Sequence, residues 1–486
     1  MCETNLTLHT DKYQINMMYA HWKRGTKNER AAFEAYFRKL PFGGGYAVFA
    51  GLERLVEYVR QLKFGDEEIA YLRTQEERYD ERFLAELRSF KFSGSISSVC
   101  EGALVFPNVP LIRVEARVFE AQLIETALLN FMNYQTLIAT KASRIRLAAP
   151  NDRLLEFGSR RAQEADAAIW GARAAYIAGF DATSNMLAGM RFGIPTSGTH
   201  AHAWVQGRDS EEDAFRDYAE ALPDHVILLV DTYDTLRSGI PNAIRIAREL
   251  HRRGKRLKGI RLDSGDLAYL SKRAREMLDE AGFPDAKIVA SNDLDEHLIA
   301  ELKAQGARID SWGVGTKLIT AFDQPSLGGV YKLAAREKEG AMEPVIKVSA
   351  NPEKISNPGI KEVYRIVNAD SGMAEADYVT LPGDEDVAGG RPLKLFDPLH
   401  PHRYKKVARY RAVPLLRPVI AEGEPVGALP GLDEIRGEHR KQLALFWPEH
   451  LRKLNPEPYR VNYSPAVLNL KSELIRRHLP EGSSGD

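Results

Sequence analysis

From about residue 153 to residue 335 one rhythm repeats: a short apolar run, a polar tip, then a longer amphipathic segment. The apolar runs are "RLLEF", "GIPTS", "HVILLV", "KGIRL", "AKIVA", "DSWGV" and "GGVYKL". Between them, "GIPNAIRIARELHRRG" carries Pro near its start and Gly past its end, which marks a helix. "GDLAYLSKRAREMLDEAG" spaces apolar residues three and four apart and reads the same way. Strands that alternate with helices require right-handed crossovers, and those build a parallel sheet. The rhythm alone fits a closed barrel and an open doubly wound sheet equally.

The flanks read differently. Residues 1–135 mix helix-like stretches ("LERLVEYVRQLKF", "EARVFEAQLIETALLNFMNYQ") with the β-like "SFKFSGSISSVCEGALVF", and form an expected N-terminal α+β domain. Residues 136–345 hold the α/β core. Residues 346–486, with many Pro and Gly and the acidic "LPGDEDVAGG", read as a smaller β-rich C-terminal domain whose tail "EGSSGD" frays. A chain of 486 residues with 44% hydrophobic content exceeds one compact core, so several domains are expected. Lys+Arg and Asp+Glu are equal at 67 each, so no global field recruits nucleic acid or an anionic membrane. Two cysteines, Cys2 and Cys100, fall far short of a disulfide framework and point to a reducing compartment. The N-terminus shows no basic segment followed by an apolar core, and no window reaches 18 apolar residues. A soluble, cytoplasmic protein is expected.

The chemistry concentrates in the polar tips of the strands: "EFGSRR", "SGTHAH", "VDTYDT", "RLDSGD", "ASND" and "GVGTK". Ligands of parallel α/β folds sit at the carboxyl ends of the strands, so these tips converge if the strand reading holds. "GVGTK" offers unhindered backbone N–H groups to an anion, although a plain tight turn explains it as well. Asp231, Asp234, Asp263 and Asp266 are placed to accept from ribose hydroxyls or to hold a Mg²⁺ that arrives on a pyrophosphate, and some of them simply cap helices. Arg160, Arg161 and Arg261 suit phosphate or carboxylate oxygens. In "SGTHAHAWVQG", His200 and His202 share one face if the backbone is extended and can then grip a metal together. If the backbone turns there, one of them is a lone nucleophile.

As an ordered set, "TDKYQINMMYAHW", "AYFRKLPFGGGYAVFAGLE", "LEFGSRRAQ", "GFDATSNMLAG", "SGTHAHAWV", "VDTYDTLRSGIPNAI", "GIRLDSGDLAYLSKRAR" and "WGVGTKLITAFDQPSLGGVYKL" resemble the nicotinate phosphoribosyltransferase family, from about residue 8 to 335. "KVSANPEKISNPGIKEVYR" fits as well, and the last hundred or so residues match more loosely. The resemblance implies an irregular, TIM-like parallel α/β barrel with N- and C-terminal domains. It implies a homodimer with shared active sites that joins nicotinate to phosphoribosyl pyrophosphate, giving nicotinate mononucleotide at the start of NAD salvage. ATP is the expected co-substrate, hydrolysed through a phosphohistidine in a ligase-like coupling. Mg²⁺ is expected to arrive with phosphoribosyl pyrophosphate and ATP, and no residue is assigned as a metal ligand.

Carried over residue by residue, the resemblance makes His202, three positions after Thr199, the phosphorylated histidine, and leaves His200 a local role. Phe157 would stack on the pyridine ring beside Arg160 and Arg161, with Tyr13 of the partner subunit on the other face. Thr199 and Arg261 would contact nicotinate or pyrophosphate, and Asp263 the ribose. Ser291, Asn292, Gly315 and Thr316 would hold the 5′-phosphate, and Arg38 would reach the pyrophosphate across the dimer. Nicotinamide-using relatives carry Asp where this chain has Ser184, whose neutral hydroxyl favours the nicotinate carboxylate.

Two rivals stand beside this reading. A metal-dependent barrel hydrolase would use His200 and His202, but His225 lies before its strand, and His251 and His297 fall in helical stretches. A catalytically inactive sugar-phosphate sensor would not need both His202 and Asp263.

Overall fold

A computed structural model describes residues 5–478 except 385, 386, 388, 398, 399 and 401. Cys2, the tail "EGSSGD" and part of "LPGDEDVAGG" lie outside the described residues. By packing, the chain groups into two units, Met1–Leu137 with Ser326–Asp486, and Ile138–Pro325.

The unit Ile138–Pro325 carries one six-stranded sheet, every pairing of which is parallel. Across the sheet the strands are Ala182–Thr183, Arg153–Glu156, Ser311–Val314, Lys287–Ala290, Gly259–Leu262 and Ile227–Leu229. Five of these strands are the apolar runs of the sequence rhythm. Their side chains are buried on both faces, as covered parallel strands require: Leu154, Ile260, Ile288 and Val314 are enclosed on one face and Leu155, Leu229 and Val289 on the other. Trp312 is fully buried too, and its indole N–H donates to Asp152 Oδ2 at 2.8 Å. The helices Ile240–Arg252 and Leu267–Glu280 lie where their periodicity puts them. Asp266 caps the second by accepting from the Tyr269 N–H. Asp234 accepts from the Leu236 and Arg237 N–H groups at the start of a short π-helical turn, Thr235–Gly239. Both carboxylates are thereby used as caps.

Two of the predicted parallel strands are corrected. "GIPTS" contributes a single bridge, Thr196 with Thr183, because Pro195 has no N–H to give a ladder. The strand in this region is instead Ala182–Thr183, inside "GFDATSN". "GGVYKL" opens the strand Val330–Lys338, which belongs to the other unit and pairs antiparallel with Arg30–Tyr36. No helix follows it: Glu339 and Gly340 both take positive φ (52° and 81°), a two-residue turn that returns the chain as Ala341–Pro344.

In the unit Met1–Leu137 with Ser326–Asp486, a seven-stranded sheet draws on segments far apart in the chain. Its order is Ala341–Pro344, Val330–Lys338, Arg30–Tyr36, Ile112–Arg117, Ser95–Ser98, Arg417–Ala421 and Glu424–Pro425. A second sheet orders Tyr410–Pro414, Glu362–Asn368, Ala374–Thr380 and Arg460–Tyr463. Among the described residues, no helix is long and apolar enough to cross a membrane.

Candidate active site

Strand ends decide where the chemistry gathers. At the carboxyl end of the parallel sheet lies a cavity of about 430 Å³, and each strand but one sends its tip into the lining. Phe157, Arg160 and Arg161 follow Arg153–Glu156, and Ser184 follows Ala182–Thr183. Thr199 comes from the segment after the Thr196 bridge. Arg261 and Asp263 flank the end of Gly259–Leu262, Ser291 and Asn292 follow Lys287–Ala290, and Gly315 and Thr316 follow Ser311–Val314. Eleven of the fourteen residues to which the family resemblance gives a site role therefore line one space. The outer strand, Ile227–Leu229, acts from behind: Asp231 Oδ2 accepts from the Asp263 N–H and the Ser264 hydroxyl, each at 2.7 Å.

The cavity's polar groups hold one another in place. Arg261 donates to Thr199 Oγ1 at 2.6 Å and lies 4.0 Å from Asp263 Oδ1, which also accepts from the Ser291 hydroxyl. Burial pushes the Arg261 pKa down from the ordinary guanidinium value, with Asp263 and Asp231 opposing it, so a bound anion would relieve a poorly solvated cation. Arg160 and Arg161 have exposed side chains and form no ion pair among the described residues. Asn292 adopts φ 105°, a region unusual for a residue with a Cβ, and turns its backbone at the cavity wall.

Phe157 owes its position to two neighbours. A Cβ on Gly313 would lie 2.6 Å from the Phe157 ring, so only glycine there lets the ring lie over the Ser311–Val314 strand. Glu156, one residue earlier, was not anticipated from the sequence. Its buried carboxylate accepts from the Gly158 N–H and the Thr183 hydroxyl, tying together two strand tips, and burial raises its pKa. A carboxylate ending an apolar strand was the available signal for it.

The two histidines separate. His200 is buried, its Nε2 accepts from the Leu229 N–H at 3.2 Å, and its ring lies edge-on to Tyr218 at 4.9 Å. Burial pushes its pKa down to about 4, so the ring is neutral. Nε2 is already committed to the backbone, so the two histidines do not form a metal-gripping pair. His202 opens the short helix His202–Gln206 and is partly exposed; its Nδ1 lies 3.1 Å from Thr232 Oγ1 and its Nε2 3.8 Å from Asp263 Oδ2. It stands beside the cavity without lining it. Among the described residues, no group of three or more His, Cys, Asp or Glu could hold a metal ion.

Tyr13 and Arg38 belong to the other unit. Tyr13 lies on the helix Lys12–Arg24 with its side chain 49% exposed, and Arg38 follows the strand Arg30–Tyr36 half-buried. Neither lines the cavity.

A parallel α/β core with cations, carboxylates and glycine turns meeting at its strand ends defines the class, an α/β protein built to hold a small anionic ligand. Comparison with known proteins makes the assignment particular. Sequence profiles match in order: the nicotinate phosphoribosyltransferase N-terminal domain over residues 8–133, the nicotinate phosphoribosyltransferase family over 153–370, and its C-terminal domain over 360–471. The chain is 55% identical to nicotinate phosphoribosyltransferase of Bacillus subtilis, covering 97% of this chain and 96% of the relative. It is 33% identical to the human protein of that name, covering 97% of each. The crystal structure of human nicotinic acid phosphoribosyltransferase superposes with a TM-score of 0.85 at 31% identity, covering 96% of this chain and 99% of that one. The chain belongs to the nicotinate phosphoribosyltransferase family.

Proposed function

We propose that nicotinate and phosphoribosyl pyrophosphate meet in the strand-end cavity and leave it as nicotinate mononucleotide and pyrophosphate, with ATP hydrolysed through a phosphohistidine at His202. The chain is an enzyme, a nicotinate phosphoribosyltransferase of NAD salvage. The observation that carries the site assignment is the convergence of Phe157, Arg261, Asp263, Ser291 and Thr316 on one cavity. The barrel reading rests on topology: Ser311–Val314, last of the sheet's strands in the chain, pairs with the first, Arg153–Glu156, and Thr183 bridges onward to Thr196. Such a return of the last strand to the first is the connectivity of a closing α/β barrel.

The mechanism is a matter of charge. Departure of pyrophosphate leaves positive charge at C1′ of the ribose, an oxocarbenium-like state as in glycoside cleavage. Asp263, steadied by the Asp231 bond to its N–H, is the carboxylate on the ribose side. Arg261 meets the developing charge on the leaving pyrophosphate, and Arg160 and Arg161 orient the nicotinate carboxylate against the Phe157 ring, so its ring nitrogen faces C1′. Ser291, Asn292, Gly315 and Thr316 take the 5′-phosphate. Asp231 Oδ1 is buried with no hydrogen-bond partner among the described residues. That orphaned acceptor, with Asp263, fits a cation delivered mainly by substrate oxygens; Mg²⁺ bound there would neutralise pyrophosphate charge. His202 Nε2 lies 3.8 Å from an Asp263 oxygen, so phosphorylation of His202 would bring negative charge up against that carboxylate, push the segment toward a different arrangement and couple ATP to the site. Tyr13 and Arg38 complete the site of a second copy in a homodimer.

The test is direct. Purified protein with nicotinate, phosphoribosyl pyrophosphate and Mg²⁺ should yield nicotinate mononucleotide by mass detection, and ATP should raise the yield. Binding of phosphoribosyl pyrophosphate without any product would favour the sensor reading.

A further inference from the structure

A second cavity, of about 300 Å³, lies wholly in the unit Met1–Leu137 with Ser326–Asp486 and shares no residue with the strand-end cavity. Its floor is one face of a strand pair. Arg365 and Val367 of Glu362–Asn368 lie opposite Val413 and Arg411 of Tyr410–Pro414, and all four line the cavity. The alternate residues, Tyr364, Ile366, Tyr410 and Ala412, turn to the other face and pack in a hydrophobic cluster. This strand pair thus turns one set of alternate residues to the hydrophobic cluster and the other set partly to this space. Glu438, Lys441, Gln442 and Leu445, spaced along the helix Leu432–Ala444 and its end, form a wall. Val99, Cys100 and Ala103 close the other side, where Arg417 sits in register with Ser98.

The lining carries four cations, Arg365, Arg411, Arg417 and Lys441, and one carboxylate, Glu438, in a chain whose charges balance overall. Arg365 is spoken for: it pairs with Asp377 at 2.8 and 2.9 Å and donates to Gln442 and to the Leu104 carbonyl. Lys441 stands 3.9 Å from Glu438. Arg411 and Arg417 have no ion pair among the described residues, and both side chains are exposed at the cavity. Two uncompensated guanidiniums beside a lysine suit a doubly charged anion with fork-binding oxygens, and the walls of Val99, Ala103, Val367, Val413 and Leu445 suit an apolar body. We propose that this cavity binds a phosphomonoester with an apolar body, with Arg411 and Arg417 on the phosphate.

Cys100, the thiol in the lining, reports on this directly. In a Cys2→Ser background it is the sole cysteine of the chain. The rates of its alkylation by anionic iodoacetate and neutral iodoacetamide are compared as a ratio, normalised to free cysteine. Burial raises the thiol pKa, but both reagents need the thiolate, so the ratio cancels that effect and reads the local field. The ratio is expected to fall at least fivefold in Arg411→Gln/Arg417→Gln. In the parent, millimolar 4-nitrophenyl phosphate is expected to slow Cys100 labelling at least threefold, with 4-nitrophenol and inorganic phosphate protecting far less, and the double variant should lose that protection. Product formation from nicotinate should be unchanged in the variant. No protection in the parent, or equal protection in a folded variant, overturns the proposal. Equal protection by inorganic phosphate overturns its apolar-body part. If the double variant does not fold, the parent arm and a Lys441→Gln variant decide.

Discussion

Two neighbouring positions of like chemistry have opposite fates here, and burial is what separates them. His200 is neutral, bonded to the Leu229 amide and shielded by Tyr218, whereas His202 keeps a ring nitrogen facing Asp263. His202→Ala should abolish acid-labile labelling from γ-labelled ATP and uncouple ATP from synthesis; His200→Ala should retain labelling. Full labelling of the His202 variant would sink the assignment. Ser184 tests selectivity. In the proposed site an Asp there would face the nicotinate carboxylate, and at about 4 Å with an effective dielectric near 20 two unit charges repel by roughly 4 kcal/mol. Ser184→Asp should therefore lower kcat/KM for nicotinate at least tenfold, since about 1.4 kcal/mol already produces that factor, and raise relative use of nicotinamide. An Asp that takes up a proton would soften the loss at lower pH, so both substrates are compared at two pH values. An unchanged preference would place selectivity elsewhere.

Among elements, the least legible feature is a buried ion cluster around the helix Glu296–Ala304. Glu296, fully buried on the helix Glu296–Ala304, accepts from Arg144 Nε at 2.7 Å and pairs with Lys141 at 2.9 Å; Lys141 also reaches Asp323 at 2.7 Å. Nothing in "DEHLIAELKA" distinguishes this glutamate from a solvated one, because its partners come from about 150 residues earlier. Removing it leaves two cations buried. Glu296→Leu should cost about 3–5 kcal/mol of stability, read as a lower urea midpoint, whereas an exposed pair such as Arg273 with Glu276 should cost well under 1 kcal/mol. A Glu296→Leu protein as stable as the parent would mean that the cluster relaxes into solvent. The strands were easier to read, since burial on both faces leaves a mostly apolar run, and "HVILLV" and "AKIVA" are such runs. "GGVYKL" is also a short run with apolar residues, yet it pairs in another sheet, because pairing partners leave no local mark.

For the whole molecule, two behaviours are expected. If Tyr13 and Arg38 serve a second copy, mixing inactive Tyr13→Ala and Asp263→Ala proteins should restore part of the activity as heterodimers form, and no recovery after verified subunit exchange would count against a shared site. The second concerns pH. Burial holds the His200 and His439 pKa values down at about 4, against 6.5 in the unfolded chain. Between those values the unfolded chain binds protons that the folded rings refuse, so stability falls as pH drops from 6.5 to 4, by up to about 1.4 kcal/mol per pH unit for each ring. The buried carboxyls of Glu34 and Glu156 are pushed up and act with the opposite sign. The histidine contribution is therefore the difference in urea stability between wild type and His439→Gln, which should shrink or reverse across that window; a difference flat with pH would contradict a buried neutral His439.

The sequence by itself determined the parallel α/β core and most of the cavity lining, because buried strands must be apolar and their exposed tips carry the polar and small residues that touch ligand. The resemblance to the family, read through the offset from Thr199, is what singles out His202 over His200 as the expected phosphoryl carrier. Tertiary structure alone decided that Glu156 ties two tips together, that Asp231 braces Asp263, that Gly313 makes room for Phe157, and that segments near residues 95 and 417 share one sheet. Each of these depends on contacts between residues distant in the chain, and local propensity and periodicity are blind to such contacts until the backbone has brought the residues together.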